Sequence, residues 1–281
     1  MLFRKIHGLG NDFVLTHGID PMLVDLSEAA RSICDRKFGI GADGLILVLP
    51  SDKADFRMRI FNPDGSEPEM CGNGIRCFAK YVYEQGLSNK TELTVETLAG
   101  IIKPKLLVTN GRVNEVQVDM GRPRLQAGDI PVVGFGAGPV VEAPLEVEGE
   151  RLCFTGVSMG NPHAVIPVPD LTTIPFEKLG PAVEKHNAFP QKVNVEFAQV
   201  LTPGVVRVRV WERGAGPTLA CGTGACATVV GLALTGRLER HATVELPGGN
   251  LDILWGEDDH VYMTGPATEV FAGEYLLELP H

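Results

Sequence analysis

Six residues in this chain of 281 have the reactivity to do chemistry at a thiol: Cys34, Cys71, Cys77, Cys153, Cys221 and Cys226. Their number is even, but the chain is long. It opens Met-Leu-Phe-Arg-Lys-Ile-His and then turns glycine-rich, with no apolar export signal, so a disulfide framework is not expected. No Cys-x-x-Cys occurs, and the spacings Cys71/Cys77 and Cys221/Cys226 do not match zinc knuckles. Two of the six stand in near-identical settings: Met70-Cys71-Gly72-Asn73-Gly74 and Ala220-Cys221-Gly222-Thr223-Gly224. The other four are expected to be core thiols.

Each Cys-Gly-x-Gly opens a predicted helix. A helix start offers unpaired N–H groups and a partial positive charge, which favour a thiolate or bind a carboxylate. Two such starts facing one cleft, with a thiol on either side of one anion, would move a proton from one face of a carbon to the other. One thiolate removes the proton and the opposite thiol delivers another. Converging dipoles and N–H donors would stabilise the charge that builds beside the carboxylate. The pattern therefore points to a racemase or epimerase. Cysteines that merely pack at helix starts, and a redox pair, are the alternatives that spacing alone leaves open.

The elements that position these thiols repeat. With the sequence moved against itself by 150 residues, Arg57, Arg59, Cys71, Gly72, Gly74 and Gly86 fall on Arg207, Arg209, Cys221, Gly222, Gly224 and Gly236. Upstream, Leu2, Gly10, Asn11 and Asp20 fall on Leu152, Gly160, Asn161 and Asp170 without a gap. Phe56–Phe61 and Val206–Trp211 alternate as strands do. In the first helix Ile75, Phe78, Ala79 and Val82 recur at i, i+3, i+4 and i+7, while Ala225–Leu234 is apolar nearly all round, as in a helix buried on every side. Gly86 and Gly236 suit the helix ends. The expected architecture is α+β: two pseudo-symmetric domains, each a curled, mostly antiparallel sheet around a central helix, with the active site in the cleft between them. The first domain spans 1–121 and is joined by 267–281; the second spans 122–266.

Composition narrows the classes. The chain is 44% hydrophobic and 21% charged, which fits a globular fold and excludes disorder and collagen. A net charge of −10 argues against general nucleic-acid binding. No apolar run approaches the roughly 18 residues of a membrane span. A cytoplasmic location is the default expectation.

Five stretches resemble the diaminopimelate epimerase family. They are His7-Gly8-Leu9-Gly10-Asn11-Asp12-Phe13, Phe61-Asn62-Pro63-Asp64-Gly65-Ser66-Glu67 running into Cys71-Gly72-Asn73-Gly74-Ile75-Arg76-Cys77, Met159-Gly160-Asn161-Pro162-His163, Trp211-Glu212-Arg213-Gly214-Ala215-Gly216, and Cys221-Gly222-Thr223-Gly224. They cover nearly the whole chain in the family's order. The related proline racemases typically carry His where Asn73 stands, so Asn73 favours the epimerase.

The resemblance implies a pyridoxal-free and metal-free enzyme that interconverts LL- and meso-diaminopimelate on the route to lysine. Its only partner would be the small-molecule substrate, with no nucleic acid and no membrane, and a homodimer is a family-level expectation. Cys71 and Cys221 would be the acid/base pair, Cys71 donating to and Cys221 abstracting from the LL isomer. Asn11, Asn62, Asn161, Asn194, Glu212 and Arg213 match substrate-binding positions. Gly72-Asn73 and Gly222-Thr223 match the backbone donors around the reacting carboxylate. His163 and Glu212 match positions that tune the thiols. Glu212 suits an ammonium and Arg213 can fork onto the distal carboxylate. Gly44 stands where some members carry Gln, so one distal contact is expected to be absent or replaced by water. On residue type alone, Asn11 and Asn161 equally read as turn residues after glycine, His163 as a satisfied core histidine, Glu212 and Arg213 as a solvated pair, and Asp64 and Ser66 as turn-formers.

Overall fold

A computed structural model describes residues 1–22 and 24–276. In chain order the elements begin β1 (Leu2–Gly8), β2 (Asn11–Thr16), α1 (Leu26–Cys34), β3 (Gly44–Leu49), β4 (Phe56–Phe61), α2 (Gly72–Glu84), β5 (Val95–Thr97), β6 (Gly100–Ile102), β7 (Lys105–Thr109) and β8 (Arg112–Asp119). They continue β9 (Ala143–Val147), β10 (Glu150–Ser158), β11 (Pro162–Pro167), α3 (Phe176–Glu184), β12 (Asn194–Thr202), β13 (Val205–Glu212), β14 (Gly216–Thr218), α4 (Gly222–Leu234), β15 (His241–Leu246), β16 (Gly249–Trp255), β17 (Val261–Pro266) and β18 (Thr268–Glu274). This is a mixed α/β fold of large sheets and few helices, and the chain divides into two units.

The first unit holds residues 1–118 and the chain from Thr264 onward; the second holds Asp119–Met263. The sequence-expected boundaries, 121/122 and 266/267, each lie three residues further along. Residues 277–281 of the expected C-terminal return lie outside the described residues.

In the first unit the strands run β18-β1-β2-β3-β4-β5-β6, and α2 packs on β1 to β4. In the second they run β9-β10-β11-β12-β13-β15-β16, and α4 packs on β10, β11, β12, β15 and β16. Both orders have parallel pairs at the same two places, β2/β3 and β4/β5 in one, β11/β12 and β13/β15 in the other, and otherwise antiparallel pairs. The register repeats at 150 residues: Phe13 faces Gly44 as His163 faces Asn194, and Leu45 faces Phe61 as Val195 faces Trp211. The helices repeat at the same offset, Leu26–Cys34 with Phe176–Glu184 and Gly72–Glu84 with Gly222–Leu234. The place that β9 takes beside β10 is taken beside β1 by β18, from the far end of the chain.

Both thiol-bearing helices end alike. Gly86 and Gly236 adopt φ of 70° and 66°, in the left-handed region glycine favours. Gly86 N–H donates to Tyr83 O and Leu87 N–H to Val82 O; Gly236 N–H donates to Ala233 O and Arg237 N–H to Leu232 O. This paired closure satisfies the last carbonyls and stops the helix.

The two helices differ in composition yet are equally enclosed. α4 is buried from Gly224 to Leu232, as its apolar surface requires. α2 is buried from Asn73 to Val82 although it carries Arg76 and Lys80. Arg76, fully buried, donates to Gly72 O, Asn73 Oδ1 and Pro266 O. Lys80 pairs with Glu84 at 2.7 Å and donates to Val113 O. Burial of a charge is tolerable where every donor finds an acceptor.

Candidate active site

Cys71 caps α2 and Cys221 caps α4, each with extended backbone. The sulfur of Cys71 accepts from Gly74 N–H at 3.4 Å, and that of Cys221 from Gly224 N–H at 3.3 Å. The N-cap role normally held by Ser, Thr or Asp is filled here by sulfur, which aligns the thiol with the helix dipole. Glycine at the third helical position lets the helix start lie flat on the sheet. A Cβ on Gly74 would sit 3.2 Å from Ile46 Cδ1 and Ile60 Cδ1; on Gly224 it would sit 2.8 Å from Glu196 Oε1.

The surroundings of Cys71 are set by Asn11 and Asn73. The Cys71 thiol donates to Asn11 Oδ1 at 3.8 Å, and Asn73 Nδ2 donates to the same oxygen at 3.4 Å. Asn11 Nδ2 donates to Asp43 Oδ2 at 3.1 Å, so its oxygen turns toward the sulfur. Behind it, Asp12 contacts Lys5 and Arg36, both at 2.7 Å, and Arg36 also reaches Asp43. Burial alone would raise the Asp12 carboxyl, but hydrogen bonds from Arg36 and Lys5 outweigh it and hold the group well below the usual carboxylate range.

Cys221 is buried, and its thiol is pushed well above the usual value, first by burial and then by the nearby carboxylate of Glu212. Its sulfur lies 3.5 Å from Thr223 Oγ1. Asn161 Nδ2 donates to that hydroxyl at 3.2 Å, and Asn161 Oδ1 lies 2.9 Å from His163 Nε2. His163 is fully buried, and its Nδ1 lies 2.7 Å from Glu196 Oε1.

The flanking positions are held from within each unit. In the first, Arg31 of α1 donates to Asp64 O, and Asp64 Oδ1 accepts from both Ser66 N–H and Ser66 Oγ. Asp64 and Ser66 thus form the turn after β4, while Asn62 donates to Ser66 Oγ at 2.9 Å. In the second, Glu184 at the end of α3 accepts from Trp211 Nε1 and Gly214 N–H and so grips the end of β13, which carries Glu212, and the turn after it, which carries Arg213. Asn194 is a strut: its Nδ2 donates to Pro162 O and its Oδ1 accepts from Arg213 N–H.

Around Cys71 the structure gathers Asn11, Gly72 and Asn73; around Cys221 it gathers Asn161, His163, Glu212, Gly222 and Thr223. Glu212 and Arg213 are not a pair. Glu212 Oε1 accepts from Thr218 Oγ1 at 2.6 Å, and the exposed Arg213 side chain donates to Gln191 O. Gly44 on β3 has no room for a side chain, since a Cβ would stand 2.9 Å from Phe61 O. Cys34, Cys77 and Cys226 are buried core thiols, but Cys153 is half-exposed. It lies early in β10, before that strand passes into the core, which corrects the expectation for one of the four. Three contributors were not read from sequence: Arg76, Asp43 and Glu196. Glu196 left a trace, because it is an acidic residue between Val195 and Phe197 and the residue 150 positions earlier is Ile46.

Among the described residues, no helix is long and apolar enough to cross a membrane. The family model described as diaminopimelate epimerase matches residues 3–126 and 155–270. A protein of Moorella thermoacetica named diaminopimelate epimerase is 60% identical over 280 residues, covering 99% of this chain and all of that protein. One of Methanococcus maripaludis with the same name is 51% identical over 98% of this chain and 99% of its own. A probable proline racemase from Agrobacterium radiobacter has a TM-score of 0.70 at 15% identity, covering 99% of this chain and 93% of that one, so it shares the fold. Matched along nearly its whole length, the chain belongs to the diaminopimelate epimerase family.

Proposed function

We propose that this protein epimerises diaminopimelate between its LL and meso forms, in the synthesis of lysine, with Cys71 and Cys221 as the two proton carriers. The observation that carries this reading is the repeated thiol cap. Two thirteen-residue helices, 150 residues apart, each begin at a cysteine whose sulfur accepts the N–H of its own third helical residue.

The reaction then runs in two proton transfers. The substrate carboxylate takes N–H groups of the two helix starts, Gly72-Asn73 and Gly222-Thr223, which stabilise the charge that develops when the α-proton leaves. Cys221 as thiolate removes that proton from one face of LL-diaminopimelate, and the Cys71 thiol delivers its own to the other. The roles reverse in the opposite direction. One thiol gains what the other loses, so the enzyme's proton count is unchanged.

Glu212 has a second use here. It helps hold the Cys221 thiol protonated. A substrate ammonium against Glu212 cancels that carboxylate's charge and eases ionisation of the thiol when substrate arrives. Asn11, Asn62, Asn161, Asn194 and Arg213 are assigned to holding the two ends of the substrate, with the Arg213 guanidinium on the distal carboxylate.

A racemase acting on another amino acid is the competing reading, favoured by the fold shared with the probable proline racemase. Heavy water separates the two. Incubation with LL-diaminopimelate is expected to exchange the α-proton and yield the meso isomer, with proline left unexchanged. Exchange of proline and not of diaminopimelate would overturn the assignment.

A further inference from the structure

We propose that Glu196 is a positioning residue for Cys221 alone, acting through a one-directional hydrogen-bond chain that runs by way of His163, Asn161 and Thr223 to the Cys221 sulfur. The proposal rests on the reading that Cys221 is one of the two proton carriers.

The donors order themselves from end to end. Asn161 Oδ1 can only accept, so His163 Nε2, 2.9 Å away, carries a hydrogen. Asn161 Nδ2 then donates to Thr223 Oγ1 at 3.2 Å, which leaves the hydroxyl proton free to point at the sulfur 3.5 Å away. At the other end His163 Nδ1 meets Glu196 Oε1 at 2.7 Å. Glu196 is fully buried, and its second oxygen, Oε2, has no hydrogen-bond partner among the described residues. A carboxylate there would bury a charged oxygen unpaired. A carboxylic acid whose proton sits on Oε1 and is donated to Nδ1 leaves only a neutral carbonyl oxygen, which is far less costly. Burial also raises the Glu196 carboxyl, in the same direction. Glu196 thus fixes the histidine in the form that carries hydrogen on Nε2, and every donor from there on points toward Cys221.

In the first unit the positions equivalent to His163 and Glu196 cannot build this chain. The register partners of His163 and Glu196 are Phe13 and Ile46, both buried and apolar. Asn11, the partner of Asn161, turns its oxygen to Cys71 because its amide hydrogens go to Asp43. An acceptor at Cys71 favours the thiol; a donor at Cys221 favours the thiolate. The asymmetry of the two sulfurs follows from the equivalent asparagines: Asn11 turns its oxygen to the Cys71 sulfur, and Asn161 turns its amide to the hydroxyl beside the Cys221 sulfur.

The titratable groups around Cys221 are Glu212 on β13, Glu196 on β12, His163 on β11 and Cys226 on α4. The test therefore reads Cys221 against Cys71 in the same molecule. The substrate-free enzyme is carbamidomethylated across a pH series, and each cysteine is followed by peptide mass spectrometry. The variant Glu196→Ile, which copies the first unit, is expected to slow Cys221 about tenfold near pH 8, as loss of a hydrogen bond to a charged group does, and to leave Cys71 unchanged. In Glu196→Gln the amide can donate to Nδ1 as the acid does, so the Cys221 rate is expected to stay near that of the parent. An unchanged Cys221 in Glu196→Ile, both cysteines slowing alike, or a Gln variant as slow as the Ile variant would each overturn the proposal.

A second measurement needs no variant. Nitrogen-15 NMR of the parent protein is expected to show His163 Nε2 protonated, and a bare Nε2 would contradict the chain. Neither measurement uses substrate. A failure here is distinct from a failure to exchange diaminopimelate, which would instead sink the reading on which the proposal rests.

Discussion

At the scale of single residues, burial holds a cysteine in its thiol form. Cys34 and Cys77 are both pushed up to about 12, in each case chiefly by desolvation of the thiolate. The unfolded chain gives up these protons near the ordinary thiol value while the folded chain keeps them. Their contribution to stability is therefore present below about pH 9 and is lost as pH rises toward 12. Urea unfolding is expected to show a falling midpoint across that range. Each such thiol adds up to about tenfold in the unfolding equilibrium constant per pH unit. The double variant Cys34→Ala/Cys77→Ala should flatten the fall, and an equally steep fall in that variant would contradict the assignment. At this scale the sequence was legible where type and neighbours fix a position, as they did for Cys71 and Cys221 at the helix starts. It was not legible where function depends on which atom of an amide faces a sulfur. Asn11 and Asn161 are identical in type and register, yet they present an oxygen to one thiol and an amide nitrogen to the other's hydroxyl partner.

At the scale of elements, the third residue of each thiol-capped helix sets how closely helix and sheet approach. At Gly74 an added methyl would meet the ends of two flexible isoleucine side chains at 3.2 Å, and those can yield. At Gly224 it would meet Glu196 Oε1 at 2.8 Å, with Cys221 Cβ and Sγ at 3.3 Å, on a fully buried carboxyl held by His163. Alanine also gains roughly 1 kcal/mol of helix propensity over glycine. Gly74→Ala is therefore expected to stay within about 1 kcal/mol of the parent and to keep most of its turnover. Gly224→Ala is expected to lose at least about 2 kcal/mol, together with most activity. Thermal unfolding and initial rates of both variants check this, and equal losses would show that the sheet beneath the two helices is equivalent after all. The predicted strands over Phe56–Phe61 and Val206–Trp211 and the helix ends at Gly86 and Gly236 were readable because period and end signals are local. The close fit of α2 was not readable, because burial of Arg76 depends on Pro266, nearly two hundred residues away in sequence.

At the scale of the whole molecule, the 150-residue repeat organises everything else. It was visible in the sequence because duplicated glycines and cysteines keep a gapless register, and the strand orders and helix bounds of the two units carry the same offset. What the repeat does not copy is equally informative. Phe13 and Ile46 answer His163 and Glu196, and Asn62 answers Glu212. A duplicated scaffold has thus diverged into two chemically unlike thiol settings. The central claim is that two sulfurs, one from each unit, serve opposite faces of one carbon. The most direct measurement is the early time course from LL-diaminopimelate in heavy water, with deuterium followed separately in product and in remaining substrate. Two proton carriers predict meso product labelled at the new centre from the first turnovers, while unreacted LL substrate stays unlabelled. Product that keeps the substrate's own α-proton would mean that one group carries it between faces, and would contradict the account.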